Sequence, residues 1–171
     1  MKLLLIFSIL IILLFNILTL NYQFFSYQWF DFNLLFLLIF AFLHPDYKKS
    51  IPLAIILGIF SGLNSILPIN TFVITYLLIT LFVILIIRNL MAVNLLSIIP
   101  LSFFALVVYQ VLVVCLTKIY FFLGFSDFNI VLDNSYLKNL LNLSITHSIL
   151  LVLLYGMIIW YKEKGIGYRR F

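Results

Sequence analysis

Six long apolar runs, separated by short gaps, account for most of this 171-residue chain. The runs cover, approximately, residues 3–20, 30–43, 51–67, 72–87, 95–116 and 145–161. Most of them approach the roughly 20 apolar residues needed to cross a hydrocarbon core about 30 Å thick. Backbone amides in lipid must be hydrogen-bonded within their own segment, so runs of this length predict helices rather than strands. We therefore expect an all-α polytopic membrane protein, with six transmembrane helices in one domain over 1–171.

The composition excludes a water-soluble globule. Of all residues, 66% are hydrophobic and only 9% are charged, and the mean hydropathy is +1.30. Too few polar side chains remain to cover a soluble fold. The net charge of +5 lies in the gaps rather than on one face, which argues against nucleic acid as a partner. The single cysteine, Cys115, cannot form an internal disulfide.

The basic residues fall mainly in every second gap between the runs. Because cytoplasmic flanks of membrane proteins are enriched in Lys and Arg, this alternation predicts six spans with both termini in the cytoplasm. The expected cytoplasmic basic residues are Lys48, Lys49, Arg88, Lys162, Lys164, Arg169 and Arg170, with Lys2 ahead of the first run. The remaining gaps hold only Lys118 and Lys138.

The stretch 118–144 is too apolar for a free loop on the outer side. After Asn134, apolar and aromatic residues recur at helical spacing and predict an amphipathic helix lying on the outer leaflet. These residues are Tyr136, Leu137, Leu140, Leu141 and Ile145. Docking onto a partner is the alternative use of such a face.

No constellation of residues indicates a reaction. No carboxylate lies in the middle of a run, since Asp31 opens the second run and the other acids occupy gaps. Metal-spaced clusters, nucleophile motifs and phosphate-binding loops are absent from the sequence. His44 and His147 stand alone and are expected near opposite membrane faces. We expect no catalytic residue, no cofactor and no metal site.

Two polar residues near the middle of the fifth run are costly to leave without hydrogen bonds in lipid. Tyr109 and Gln110 are therefore expected to face the interior of the bundle. Hydrogen bonding across helices is the ordinary use of such residues. A ligand pocket at this depth is the alternative.

The third run carries the densest pattern of small and polar residues. Gly58 and Gly62 are four residues apart and lie on one helix face, where they permit close approach of another helix, from this chain or from a partner. Asn64, Ser65 and Pro68 then form a polar helix end and a tight turn. The third and fourth runs are therefore predicted to form a helical hairpin.

This central stretch, 45–94, resembles the rod shape-determining protein MreD family of bacterial inner-membrane proteins. Members typically have a Gly-rich third span, a leucine-proline turn, and a fourth span closed by a basic residue. The matching residues here, in order, are Gly58, Gly62, Leu63, Ser65, Leu67, Pro68 and Arg88. Aligning the turn puts Gly62 where many members have an aspartate, and Asn70 where many have glycine.

The resemblance implies a non-enzymatic membrane scaffold of the cell-elongation machinery, which directs lateral peptidoglycan synthesis in the cell inner membrane. Its implied partners are an MreC-like bitopic protein, the wall-synthase complex and the cytoskeletal filament. The competing interpretation is the substrate-binding membrane subunit of an energy-coupling vitamin transporter, which has about six spans in a similar length. Those subunits usually couple through alanines spaced four apart in the first span, whereas 3–20 contains no alanine.

Overall fold

The computed structural model describes residues 31–63, 65, 67–90, 95–127 and 134–167. These form five α-helices: α1 (Phe32–Leu43), α2 (Tyr47–Leu63), α3 (Ile69–Leu90), α4 (Leu95–Phe122) and α5 (Asn134–Gly167). Three of them contain segments long and apolar enough to cross a membrane, namely Ile69–Asn89, Ser97–Phe122 and Tyr136–Trp160. The all-α prediction is confirmed, and the architecture is consistent with a membrane protein. The predicted first span, 3–20, lies outside the described residues.

Successive helices run in alternating directions. Facing pairs of residues establish this order: Asn33 with Ser61, Gly58 with Val73, Tyr76 with Tyr109, and Ser102 with Ser148. The α2–α3 turn lies at one end of the bundle, which we call the Pro68 end. The α1–α2 connection lies at the opposite end, which we call the Arg88 end.

The distribution of side chains differs from that in a water-soluble fold, although the core is largely apolar. Large apolar side chains are exposed along α5 at four-residue spacing, from Leu137 to Met157. Many of the polar side chains within the helices are instead buried, among them Asn33, Ser61, Thr75, Ser102, Gln110, Thr117, Ser144, His147 and Ser148. A bundle whose outer face meets lipid has this arrangement, because only the interior offers hydrogen-bond partners.

The α2 and α3 helices are in backbone contact through two glycines. A Cβ atom at Gly58 would lie 2.8 Å from the Cα of Val73, and one at Gly62 would lie 2.7 Å from the Cα of Ile69. Both contacts are closer than any side chain permits, so only glycine fits here without a shift of the backbone. The predicted helical hairpin is confirmed, and its glycine face contacts a helix of the same chain.

The turn of this hairpin is held by local hydrogen bonds. The Ser65 amide donates to the Gly62 carbonyl at 3.2 Å, and the Leu67 amide donates to Ser65 Oγ at 3.1 Å. Pro68 then opens α3, and its carbonyl accepts from the Thr71 amide at 2.9 Å. Asn64, which the sequence also assigned to this turn, lies outside the described residues.

Three basic residues share the Arg88 end. Arg88 Nε donates to the Pro45 carbonyl at 3.1 Å, and the guanidinium lies 4.6 Å from the centre of the Tyr47 ring. Lys48 and Lys49 are exposed in the first turn of α2, beside these contacts. The side chains of Lys162 and Lys164, and residues Arg169 and Arg170, lie outside the described part of the chain.

Helix bounds in the second half of the chain differ from the prediction. The α4 helix continues through Lys118 to Phe122, and α5 is one uninterrupted helix of 34 residues that begins at Asn134. The prediction of a separate interfacial helix between Asn134 and Ile145 is therefore wrong. Since the first 22 residues of α5 contain no Pro or Gly, nothing in the sequence stops the helix before the span. Just after α4 comes Gly124, whose φ of 72° is strained for other residues.

Candidate functional site around Asp31

The α1 helix begins inside the bundle. It has 12 residues and is about 18 Å long, whereas the 22 residues of α3 extend about 33 Å. Asp31 caps the N-terminus of α1 and is level with Tyr76, which lies about two turns, or about 10 Å, along α3 from the Pro68 end. The carboxylate of Asp31 is therefore well below the tip of the bundle.

Donors from four helices converge on the two oxygens of this carboxylate. Oδ1 accepts from the Leu34 amide of α1 at 3.1 Å and from the Ser61 hydroxyl of α2 at 3.2 Å. Oδ2 accepts from the Tyr76 hydroxyl of α3, and from the Tyr109 hydroxyl of α4 at 3.0 Å. The two tyrosine rings meet edge-on, with centroids 6.0 Å apart.

Ser61 is the second centre of the site. Its Oγ accepts from Asn33 Nδ2 at 2.9 Å and lies 2.8 Å from the Tyr76 hydroxyl oxygen. Ser61 is buried, and so are Asn33 and Tyr76. Buried polar groups of this kind hold a unique helix arrangement only when all of them find partners.

His147 connects the fifth helix to the site. The Asp31 backbone amide donates to His147 Nε2 at 3.2 Å, and His147 Nδ1 lies 2.9 Å from the Leu143 carbonyl oxygen. An amide only donates and a carbonyl only accepts, so Nε2 is the acceptor and Nδ1 carries the hydrogen. The imidazole is accordingly neutral in this arrangement. Residues of all five helices thus meet at Asp31.

A narrow crevice adjoins the site between α1, α4 and α5. It is lined by Leu34, Leu106, Tyr109, Gln110, Ser144 and His147. Gln110 and Ser144 are both buried, and the Ser144 hydroxyl has no hydrogen-bond partner among the described residues. The crevice therefore adds polar groups beside the tyrosine that contacts Asp31.

The candidate residues of the sequence analysis lie in three different parts of the bundle. Tyr109 lies in the site and Gln110 lies in the adjoining crevice, and both are buried. The glycines, Ser65 and Pro68 belong to the α2–α3 hairpin. The basic residues Lys48, Lys49 and Arg88 lie at the opposite end.

Sequence reasoning missed the remaining members of the site. It assigned Asp31 to the opening of a run and expected His147 near a membrane face, but His147 is only 2% exposed. The error over His147 follows from α5, which begins 11 residues earlier than predicted and so carries His147 down into the bundle. For Asp31, the signal was the length of the second run. A helix that is too short to span leaves one of its ends below the surface, and here that end is Asp31.

The assembled groups are a carboxylate, hydroxyls, a primary amide and a neutral imidazole. Within the described residues, no group of three or more His, Cys, Asp or Glu side chains is placed to hold a metal ion. The arrangement is suited to joining helices through hydrogen bonds. No protein-family model, curated protein or solved structure matches this chain.

Proposed function

We propose that this chain is a non-enzymatic integral membrane subunit of the bacterial cell-elongation machinery. It would lie in the cell inner membrane with six spans and both termini in the cytoplasm, and would scaffold lateral peptidoglycan synthesis. The observation that carries the proposal is the α2–α3 hairpin, because its glycine face, proline turn and terminal Arg88 stand in the order of the family that 45–94 resembles.

The placement of charge supports the proposed orientation. Lys48, Lys49 and Arg88 belong to different gaps of the sequence but lie at one end of the bundle. Lys and Arg near short loops favour the cytoplasmic side, so the Arg88 end is assigned to the cytoplasm. The Pro68 end and the α4–α5 connection are then on the outer side.

The site at Asp31 bears on Gly62, the position where this chain departs from the family that it resembles. Many members of the family carry an aspartate where this chain has Gly62, and here a side chain at 62 would collide with the backbone of Ile69. Asp31 brings a carboxylate to the same helix end from α1, at 3.2 Å from Ser61, the residue before Gly62. In this chain a carboxylate thus reaches the Pro68 end of α2 from a different helix.

Scaffolding suits a protein with this surface. Its exposed surface is largely apolar along α5, and such a surface can contact the transmembrane helix of a partner. At the Arg88 end the exposed surface is basic, and it can contact a cytoplasmic segment of a partner. The implied partners are the MreC-like bitopic protein, the wall-synthase complex and the cytoskeletal filament.

Affinity purification of the tagged full-length chain from mild detergent tests the proposal. Enrichment of an MreC-like protein is expected, with an unrelated bitopic protein expressed to the same level as the control. Equal recovery of the two bitopic proteins would contradict the scaffold. Specific recovery of an ATPase-coupled transport complex would instead identify a transporter subunit.

A further inference from the structure

The basic side chains at the Arg88 end are brought together by contacts within the chain. Arg88 Nε donates to the Pro45 carbonyl at 3.1 Å, and the guanidinium lies 4.6 Å from the centre of the Tyr47 ring. Lys48 and Lys49 follow Tyr47 directly in the first turn of α2. All three basic residues are exposed, and we call them the basic patch.

The charges of the basic patch are not neutralised by the side chains that the structure describes. None of the three residues forms an ion pair with another described residue. Asp46, the acid nearest to them in the sequence, accepts a hydrogen bond from the Lys48 backbone amide at 3.1 Å. The contacts of Arg88 engage its Nε and one ring face, which leaves the Nη groups to donate elsewhere. The patch can therefore bind an anion from outside the chain.

Exposed apolar side chains continue from the basic patch toward the Pro68 end. On α2 and α3 they recur at helical spacing, on the helix faces that carry Lys48 and Arg88 respectively. They are Pro52, Ile55 and Ile59 on α2 and Leu85, Leu81, Leu78 and Ile74 on α3. Each of the two stripes thus has a cation at one end and apolar side chains along the rest of its length.

This order of chemical groups matches that of a membrane lipid. An anionic phospholipid carries a phosphate next to two apolar acyl chains, and basic pockets between transmembrane helices on the cytoplasmic side are known to bind acidic lipid headgroups. Arg88 belongs to the last turn of an apolar span, Ile69–Asn89, which is the depth at which headgroups lie. An acidic protein segment would pair with the charges but would leave the two apolar stripes unused.

We propose that the basic patch binds the headgroup of an anionic phospholipid, whose acyl chains lie along the exposed stripes of α2 and α3. The ammonium groups of Lys48 and Lys49 and the Nη groups of Arg88 donate to the phosphate oxygens. In the proposed orientation this lipid belongs to the cytoplasmic leaflet, whose surface is anionic. The inference goes beyond scaffolding and does not depend on which machinery the chain serves.

Native mass spectrometry of the full-length protein in detergent tests this site, with phosphatidylglycerol and phosphatidylcholine supplied at equal concentration. The wild type should retain phosphatidylglycerol in preference to phosphatidylcholine. Lys48→Gln combined with Lys49→Gln should lower this preference by roughly fivefold for each charge removed. Equal retention of the two lipids by the wild type, or an unchanged preference in the double variant, would overturn the proposal.

A charge-matched variant separates this site from the net charge of the protein. Lys118→Gln combined with Lys138→Gln removes the same charge from α4 and α5, at the opposite end of the bundle, and should leave the preference for phosphatidylglycerol unchanged. If both double variants lose the preference equally, net charge alone selects the lipid and the proposed site does not exist.

Two other ligands of the basic patch would also give distinct results. Glycerol phosphate carries the anionic group without acyl chains, so an equal concentration of it should not displace phosphatidylglycerol from the wild type. Displacement would identify a site for small phosphate anions instead of a lipid. Loss of a co-purified partner from the Lys48 and Lys49 double variant, with its lipid preference intact, would assign the patch to an acidic protein segment and refute the proposal.

Discussion

At the scale of single residues, one small hydroxyl carries an unusual share of the contacts between helices. Ser61 links α2 to Asp31 and Asn33 of the α1 segment and to Tyr76 of α3, all within 3.2 Å. Its removal takes one hydrogen-bond partner each from the Asn33 amide, the Tyr76 hydroxyl and the Asp31 carboxylate. The cost of a polar group left unpaired in a buried site exceeds the net gain from forming an ordinary hydrogen bond.

We expect Ser61→Ala to lower the free energy of unfolding by about 1–3 kcal/mol, because it removes three hydrogen-bond contacts between helices from a buried site. Denaturant unfolding in detergent micelles measures the change. Thr146→Ala is the matched control, because Thr146 is exposed and its hydroxyl donates to the Asn142 carbonyl of its own helix, with no bond to another described helix. That variant should change stability by less than about 0.5 kcal/mol. Equal losses in the two variants would show that the contacts of Ser61 contribute nothing specific.

Burial of some of these residues was predictable from the sequence, but their partners were not. The high cost of an unpaired amide or phenol in lipid was enough to expect Tyr109 in the interior. Its partner Asp31 is 78 residues away in the chain, and no local pattern encodes such a pairing. The depth of His147 in the bundle was equally hard to predict, because it depends on the residue at which α5 begins.

At the scale of elements, the α2–α3 hairpin is the most closely packed pair, and its closeness depends on two missing side chains. The atoms that a Cβ would meet at Gly58 are all backbone atoms, and those at Gly62 include the Cα of Ile69. Backbone cannot rotate away as a flexible side chain does. A methyl group at either position must therefore separate the helices.

Gly62→Ala tests this contact. Alanine favours a helix over glycine by up to about 1 kcal/mol, yet we expect a net loss of stability of about 1–3 kcal/mol from overpacking. The measurement is again denaturant unfolding, with Ile59→Ala as the control on the exposed face of α2. A Gly62→Ala protein as stable as the wild type would show that the hairpin relaxes at little cost.

The sequence predicted this hairpin correctly because the signal is local: two glycines four apart, a polar helix end and a proline within 11 residues. It misplaced the start of α5 for the opposite reason. Amphipathic spacing between Asn134 and Ile145 is compatible with a helix on the membrane and with the first turns of a span, and only packing against α4 decides between them. Lys118 and Lys138 likewise mark no boundary, since both lie within helices.

At the scale of the whole molecule, successive helices run in alternating directions. As a result Lys48 and Lys49 from one gap and Arg88 from another lie together at the Arg88 end. The same alternation leaves the α4–α5 connection at the other end, with Phe122 and Phe125 strongly exposed there. Exposed aromatic side chains at a bundle end are typical of the membrane interface. The arrangement gives the two ends of the bundle different chemical character.

Cysteine labelling in intact cells tests the proposed orientation. In a Cys115→Ala background, needed because Cys115 is exposed, we expect Asp127→Cys to react with a membrane-impermeant maleimide. Lys49→Cys should react only after the cells are permeabilised, because the Arg88 end is assigned to the cytoplasm. Both positions are exposed, so access of the reagent is limited by the membrane alone. The reverse pattern would contradict the proposed topology.

The link between Asp31 and His147 also sets an order of events during biosynthesis. The two residues are 116 positions apart, and chains are extended at about 5–20 residues per second, so Asp31 waits roughly 6–23 s for its last partner. During that interval the backbone amide of Asp31 is without the His147 acceptor, although the partners of its carboxylate have already been synthesised. A chain stalled or truncated before α5 therefore keeps an unpaired N–H group at the start of α1, which distinguishes an unfinished bundle from a complete one.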